Sequence, residues 1–285
     1  MTPRRARALG CVTVVGVLVL AILVGGYVFL RQKDQVPPTP LEPRCVATAN
    51  NNSVTVTREQ AHYAAIIAGV SVRRGLSPRA ATIALATAYQ ESGIRNLDHG
   101  DRDSLGLFQQ RPSQDWGTTQ QIMDPVYSAG KFYDSLVKIP DWESADINDT
   151  AQAVQRSGYP EAYRKHEPNA RILASALTGH SVAGFSCVNR RLDAADIEGM
   201  QAQLTQNFGS LESAVAPNTL TVTTSSPERA WAVAHNAVAD SGRYGVTSVS
   251  TNHLTWTNAD SAANKLPLWN RGATTGSTTV EISFA

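Results

Sequence analysis

The sequence predicts a mainly α protein: an apolar N-terminal span, a helical domain, and a small C-terminal α+β module. Three observations predict it. Ala8 to Leu30, "ALGCVTVVGVLVLAILVGGYVFL", carry no charge. From Thr57 to Gly179 helix-starting residues repeatedly precede apolar stripes of helical period. Beyond Leu220 the pattern changes to short β-branched runs around one alanine-rich helix.

The 285 residues hold 25 Lys and Arg against 24 Asp and Glu, a net charge of +1. Such balance gives no electrostatic footprint for nucleic acid and does not fit an acidic disordered chain. At about 1.5 Å per residue, 8–30 would reach ~34 Å, enough for a tilted transmembrane helix. Arg4, Arg5 and Arg7 precede it, while Arg31 and Lys33 follow and are partly offset by Asp34. That imbalance predicts a single-pass cell-membrane protein with 1–7 cytoplasmic and the rest extracytoplasmic. A cleaved signal peptide is the alternative, although Gly25-Gly26-Tyr27 makes a poor cleavage site. Residues 31–44, which include "DQVPPTPLEPR", form a proline-rich linker that should stay extended.

The expected helical domain covers 45–187. Thr57 and Gln60 form a capping box, opening a helix through Ala64, Ile67 and Val70 that stops before Gly75. Ser77-Pro78 opens a second, "PRAATIALATAYQE", stopping near Ser92-Gly93. Asp124-Pro125 opens a third, Asn148 or Asp149 a short fourth, and Pro160 a fifth; "PNARILASALTG" is a sixth. No hairpin signal is read in this domain. Residues 188–218 are a looser linker, helical around Ala194 to Gln206. The module at 219–285 has strands at "LTVTTS", "VTSVST", "LTWTN" and "STTVEISFA", with a helix at "PERAWAVAHNAVADSG".

Cys11 lies in the apolar span; Cys45 and Cys187 mark the two ends of the helical domain. In an oxidising compartment the latter two can pair, closing a loop of about 140 residues worth ~4–5 kcal/mol in the chain-entropy model. Two independent buried thiols are the alternative. Neither cysteine has a histidine near it in sequence, which argues against a thiol nucleophile. The six histidines never reach a metal-ligand spacing and no phosphate-binding glycine loop occurs, so neither metal nor cofactor is expected.

Chemistry concentrates in "YQESGIRNLDHGDRDSLGLFQQR". Glu91 shares a helix face with Ala80, Ala84, Thr87 and Ala88, and so continues a stripe of small buried residues. It also sits in the last helical turn, where the backbone dipole is negative. Burial and dipole both disfavour the charged carboxylate, and a carboxyl that keeps its proton is what a general acid requires. The plain alternative is a frayed helix end with Glu91 in water, paired to Arg95. Downstream, Gln109 and Gln110 can donate to and accept from sugar hydroxyls and acetamides. Gly106 lets backbone approach a ligand. Asp98, Asp101 and Asp103 are candidates for the second carboxylate common in glycoside hydrolysis; a calcium loop lacks its terminal glutamate here. Trp116, Trp142, Trp231, Trp256 and Trp269 can stack on sugars, though burial in a core is the commoner fate of tryptophan.

Glu91-Ser92 at a helix end, followed by Ser104, Gly106, Leu107 and Gln109, resembles the lysozyme-like domain of soluble lytic transglycosylases and goose-type lysozymes. Gly100-Asp101-Arg102 before "LGLFQ" is similar to the goose-type version, and "DPVYSAGKFYDSL" is similar to the family's next helix. The likeness spans roughly 57–178. It implies cleavage of peptidoglycan glycan strands between N-acetylmuramic acid and N-acetylglucosamine, with Glu91 protonating the glycosidic oxygen. Asp101 would position or activate water, and Ser104 and Gln109 would line the glycan cleft with Gln110. Two departures stand out. Arg111 occupies the place of a second goose-type aspartate. Ala153-Val154-Gln155 stands where transglycosylases carry Ala-Tyr-Asn, so Gln155 replaces the asparagine, and Tyr159 or Tyr163 would have to supply the tyrosine. Hydrolysis and internal cyclisation both stay open. Two other readings compete: a non-catalytic glycan-binding domain of an envelope or secretion assembly, and a scaffold whose C-terminal module docks an envelope protein.

Overall fold

The computed structural model describes Leu20, residues 24–27, 41–262, 265–272 and 274–285. Leu41–Ala285 forms one compact unit. It opens with strands β1 (Arg44–Ala49) and β2 (Asn52–Val56). Asn50 and Asn51 join them with φ of 50° and 62°, a hairpin-turn backbone that asparagine tolerates. Helix α1 (Arg58–Arg73) follows, with both bonds of the Thr57–Gln60 capping box formed. Helix α2 (Pro78–Ser92) begins on proline and ends at Gly93 in the left-handed conformation. There the N–H of Ile94 reaches back to Ala88 O, a hydrogen-bonded helix stop.

Asp124 caps α3 (Pro125–Leu136), and Asp146, slightly upstream of the expected start, caps α4 (Ile147–Gln155). The helix expected at Pro160 is instead a turn leading into a short 3-10 segment, Arg164–His166. After α5 (Glu167–Leu177), strand β3 (Phe185–Val188) returns beside β1 and completes a sheet of order β2-β1-β3. Cys45 and Cys187 face each other across that pairing and form a disulfide. Helix α6 (Ile197–Phe208) and strand β4 (Glu212–Ala216) occupy the stretch expected as a linker. Then come β5 (Thr219–Thr223), α7 (Pro227–Ala239), β6 (Val246–Thr251), β7 (Leu254–Thr257), β8 (Asn270–Arg271) and β9 (Thr279–Phe284). They build a six-stranded antiparallel sheet of order β4-β5-β9-β6-β7-β8.

Two sequence expectations are corrected. With 43% helix, 19% strand and two antiparallel sheets, the fold is mixed, not mainly α. The first sheet has no local signature, because β1 and β2 are short and β3 joins β1 at a separation of 142 residues, beyond any local pattern. The single-pass membrane localisation is corrected as well: among the described residues no helix is long and apolar enough to cross a membrane. The expected span at 8–30 lies outside the described residues, except Leu20 and 24–27.

Helix α1 is the hub. It packs against α2, α3, α6 and α7, and Ala61, His62 and the whole run Ala64–Ser71 are buried. A helix apolar on all sides must be enclosed. At Gly69 a Cβ would stand 2.8 Å from Asn207 Cβ, so α6 crosses α1 where only glycine fits. Helix α7 lies against both α1 and the large sheet, and every residue from Ala230 to Ala239 is buried. Polar bonds join the same elements: His62 Nδ1 to Asp240 Oδ1 at 2.7 Å, and Asn207 Nδ2 to Asn236 Oδ1 at 3.1 Å.

Replacing Cys45 and Cys187 together by alanine is expected to lower the unfolding free energy by about 2–5 kcal/mol, read from urea denaturation. A second expectation concerns acid. His235 is fully buried with Nδ1–H on Ala176 O, and burial pushes its pKa down to about 4. The unfolded chain takes up that proton first, so this contribution to stability is complete above about pH 6.5 and declines as pH falls toward the folded value. The urea midpoint should drop between pH 7 and pH 5, and by less in His235→Gln.

Candidate active site

Glu91 emerges half-buried from the last turn of α2. Behind it stands Tyr163, 0% exposed, whose hydroxyl donates to Glu91 Oε1 at 2.7 Å. Burial, reinforced by the bond to Glu91, pushes the phenol's pKa far up, so it remains a donor. The 3-10 segment after Tyr163 is fastened to α2: the rings of His166 and Tyr89 stack 5.4 Å apart, and His166 Nε2 bonds Gln90 Oε1 at 3.2 Å. One carboxylate oxygen is thus held from behind while the side chain reaches a cleft.

The next residue fixes the opposite wall. Ser92 Oγ lies 2.8 Å from Leu107 O and 3.1 Å from Ala88 O, sharing its proton between the loop and its own helix. Gln155 Nε2 donates to the adjacent Phe108 O at 2.9 Å, tying α4 to the same loop. Gln110 Nε2 donates to Ser128 O on α3. The loop closes on itself through bridges Leu97–Gly106 and Leu105–Gln110. Gly106 has φ 77°, and a Cβ there would lie 2.9 Å from Ile122 O, so its glycine is a steric requirement. Gln109, φ 48°, lies over Gly100, where a Cβ would meet its Oε1.

These parts enclose a cleft of about 1050 Å3, just above the ordinary span for small-molecule sites and roomy enough for several sugar rings. Glu91, Asp101, Ser104, Gln109, Gln110 and Gln155 all line it. Tyr163 does not. The substrate contact expected of it is corrected to a place beneath Glu91, because it is wholly buried.

The three aspartates separate clearly. Arg111 Nε bonds Asp103 Oδ1 at 2.7 Å and Ser113 N–H bonds its other oxygen; both hold the carboxyl well below the usual range. The residue that breaks the goose-type pattern therefore serves as the partner of Asp103. Asp98 bonds His99 at 2.8 Å, which also lowers its pKa. Asp101 lines the cleft with its side chain 94% exposed and Arg102 no nearer than 3.9 Å. Among the described residues no three His, Cys, Asp or Glu side chains gather as a metal site.

Sequence patterns did not mark Lys131, Lys138 and Arg156, which also line the cleft; α3, the turn that follows it and the end of α4 deliver them by tertiary packing. Trp116 lines it too, whereas Trp142, Trp231 and Trp256 are buried. One further signal is visible only in coordinates. Gln109, Asp115 and Arg156 line the cleft with left-handed backbones, and Ile94 and Arg102 add two more beside Glu91 and Asp101. Backbone strain of this kind clusters at functional sites.

No protein-family model matches the chain, and no curated protein matches it.

Gly106→Ala is expected to cost at least about 1 kcal/mol, from left-handed strain and the Ile122 carbonyl. Gly158→Ala, where a Cβ meets nothing within 4 Å, is the reference in the same thermal melts.

Proposed function

We propose that this cleft cuts peptidoglycan glycan strands at the β-1,4 bond between N-acetylmuramic acid and N-acetylglucosamine, with Glu91 as general acid. The observation that carries the proposal is the pairing of Glu91 with buried Tyr163 at the wall of a polar cleft. The order of Glu91-Ser92, Gly100-Asp101-Arg102 and Gly106-Leu107-Phe108-Gln109 supports it by resemblance to lytic transglycosylases and goose-type lysozymes.

The chemistry follows from the arrangement. Tyr163 occupies Oε1, which fixes the carboxyl's rotamer and directs Oε2 to the substrate. A proton on Oε2 passes to the glycosidic oxygen as its bond to the anomeric carbon breaks, and charge on the leaving sugar never builds up. Ser104 and Gln109 offer hydrogen bonds to hydroxyl and acetamide groups on either side. The anomeric carbon then needs an oxygen nucleophile. Asp101 can draw a proton from water, but among the described residues no neighbour holds its exposed carboxylate in one position. That freedom favours attack by the substrate's own 6-hydroxyl, which Glu91, now deprotonated, can assist by taking the proton. The product would be a 1,6-anhydro ring instead of a reducing end.

With the full chain and purified peptidoglycan, Glu91→Gln should abolish release of soluble fragments while retaining glycan binding. Tyr163→Phe keeps the ring but removes the donor, and should slow release about 10- to 100-fold with an altered pH profile. Mass spectrometry of the products distinguishes the ring from the reducing end. A native chain that binds glycan and releases nothing would leave a binding or scaffold domain in place of an enzyme.

A further inference from the structure

Arg156 is a cation in a costly conformation. It follows Gln155 at the end of α4 with φ 52° and ψ 40°, a left-handed backbone unfavourable for a residue other than glycine. Glycine or asparagine would suit that helix end better. Neighbouring bonds hold the turn in place: Arg156 N–H to Gln152 O at 2.7 Å, Gln152 Nε2 to Ser157 O at 2.8 Å, and Ser157 Oγ to Gln152 Oε1 at 3.0 Å.

The guanidinium so delivered lines the cleft. The other lining charges differ in what they already hold. Arg111 is paired with Asp103, Asp134 with Arg74, and Lys131 stands over the ring of Tyr127. Arg156 and Lys138 have no ion pair or side-chain hydrogen bond among the described residues, and no carboxylate there comes within 4 Å of either. A merely solvated arginine gains nothing from a strained backbone.

From this we infer that Arg156 and Lys138 form a subsite for a carboxylate carried by the bound glycan, so that the cleft selects acidic amino-sugar strands over neutral ones. The inference rests on the glycan-cleaving function proposed above. In such strands the carboxylate is the lactyl group's own where the muramic sugar carries no peptide, and the peptide's where the lactyl carboxyl is tied up in the amide that attaches it. A planar guanidinium donates to either in a two-bond fork.

Affinity is measured on the full chain carrying Glu91→Gln, so the outcome does not depend on turnover. Three probes are compared: glycan strands with their peptides, the same strands stripped by an amidase, and an N-acetylglucosamine oligomer of equal length. Adding Arg156→Gly removes the guanidinium and relieves the backbone, so the melting temperature should equal or exceed the parent's. The preference for carboxylate-bearing strands over the neutral oligomer should fall about tenfold or more, and Lys138→Gln should reduce it further. A fall with stripped strands alone assigns the carboxylate to the lactyl group, which is an amide while the peptide is attached; a fall with peptide-bearing strands alone assigns it to the peptide, and a fall with both means that the subsite takes either. An unchanged preference in folded Arg156→Gly overturns the inference, as does a parent that binds the neutral oligomer equally well. Fragment release by the chain with Glu91 intact is a separate readout, and its absence would overturn the cleavage proposal without deciding this one.

Discussion

The cleft depends on one hydroxyl. Ser92 Oγ joins the last turn of α2 to Leu107 O, and so sets the distance between Glu91 and the loop facing it. Serine suits the position: it is small enough to be buried at a helix end, and its proton satisfies a loop carbonyl that has no other partner among the described residues. Gln155 secures the next carbonyl, Phe108 O, from α4. The loop is thus clamped at two consecutive residues from two different helices, which keeps a short irregular segment from collapsing into the cleft.

That clamp needs a rigid α2, and α2 owes its rigidity to the interior around it. It packs on α1, α3, α4 and α5, and the interior is rich in alanine, so the helices approach closely. Helix α1 in turn has no solvent face of its own because α6 and α7 cover the remaining sides. The C-terminal sheet therefore supports the core that positions Glu91, through α7 wedged between the sheet and α1. The disulfide adds the same kind of constraint at the other end, pinning β1 to β3 across 142 residues.

What the sequence made legible is what local chemistry decides. The Thr57–Gln60 box, Pro78, Gly93 and Asp124-Pro125 are caps, and each sits at or beside a helix boundary. Glu91 and the residues of the glycine-glutamine loop were legible because their order along the chain is itself a pattern. The first sheet was not, since β3 finds its partner far away in sequence, and Asn50-Asn51 is a weak local clue on its own. Pro160 misled for a related reason: proline at a helix start resembles proline in a turn, and tertiary bonds decide between them. Here Asn148 Nδ2 takes Pro160 O, and the following chain turns to bring Tyr163 under Glu91. Tyr163 thus reaches Glu91 across 72 residues, a relation no spacing rule contains.

The distribution of strain separates support from function. Among the described residues, four of the eleven non-glycine positions with positive φ, Asn50, Asn51, Asn252 and His253, serve hairpin turns, where that conformation is expected. Five others, Ile94, Arg102, Gln109, Asp115 and Arg156, line or flank the cleft. Ile94 is the most telling, because a β-branched side chain tolerates left-handed backbone poorly. It is fully buried, so the core holds the strained turn shut immediately after Glu91-Ser92. A chain under selection for stability alone would place glycine or asparagine at such points. Gathered around one cleft, these left-handed backbones set it apart from the rest of the described fold, and strain of that kind clusters at functional sites.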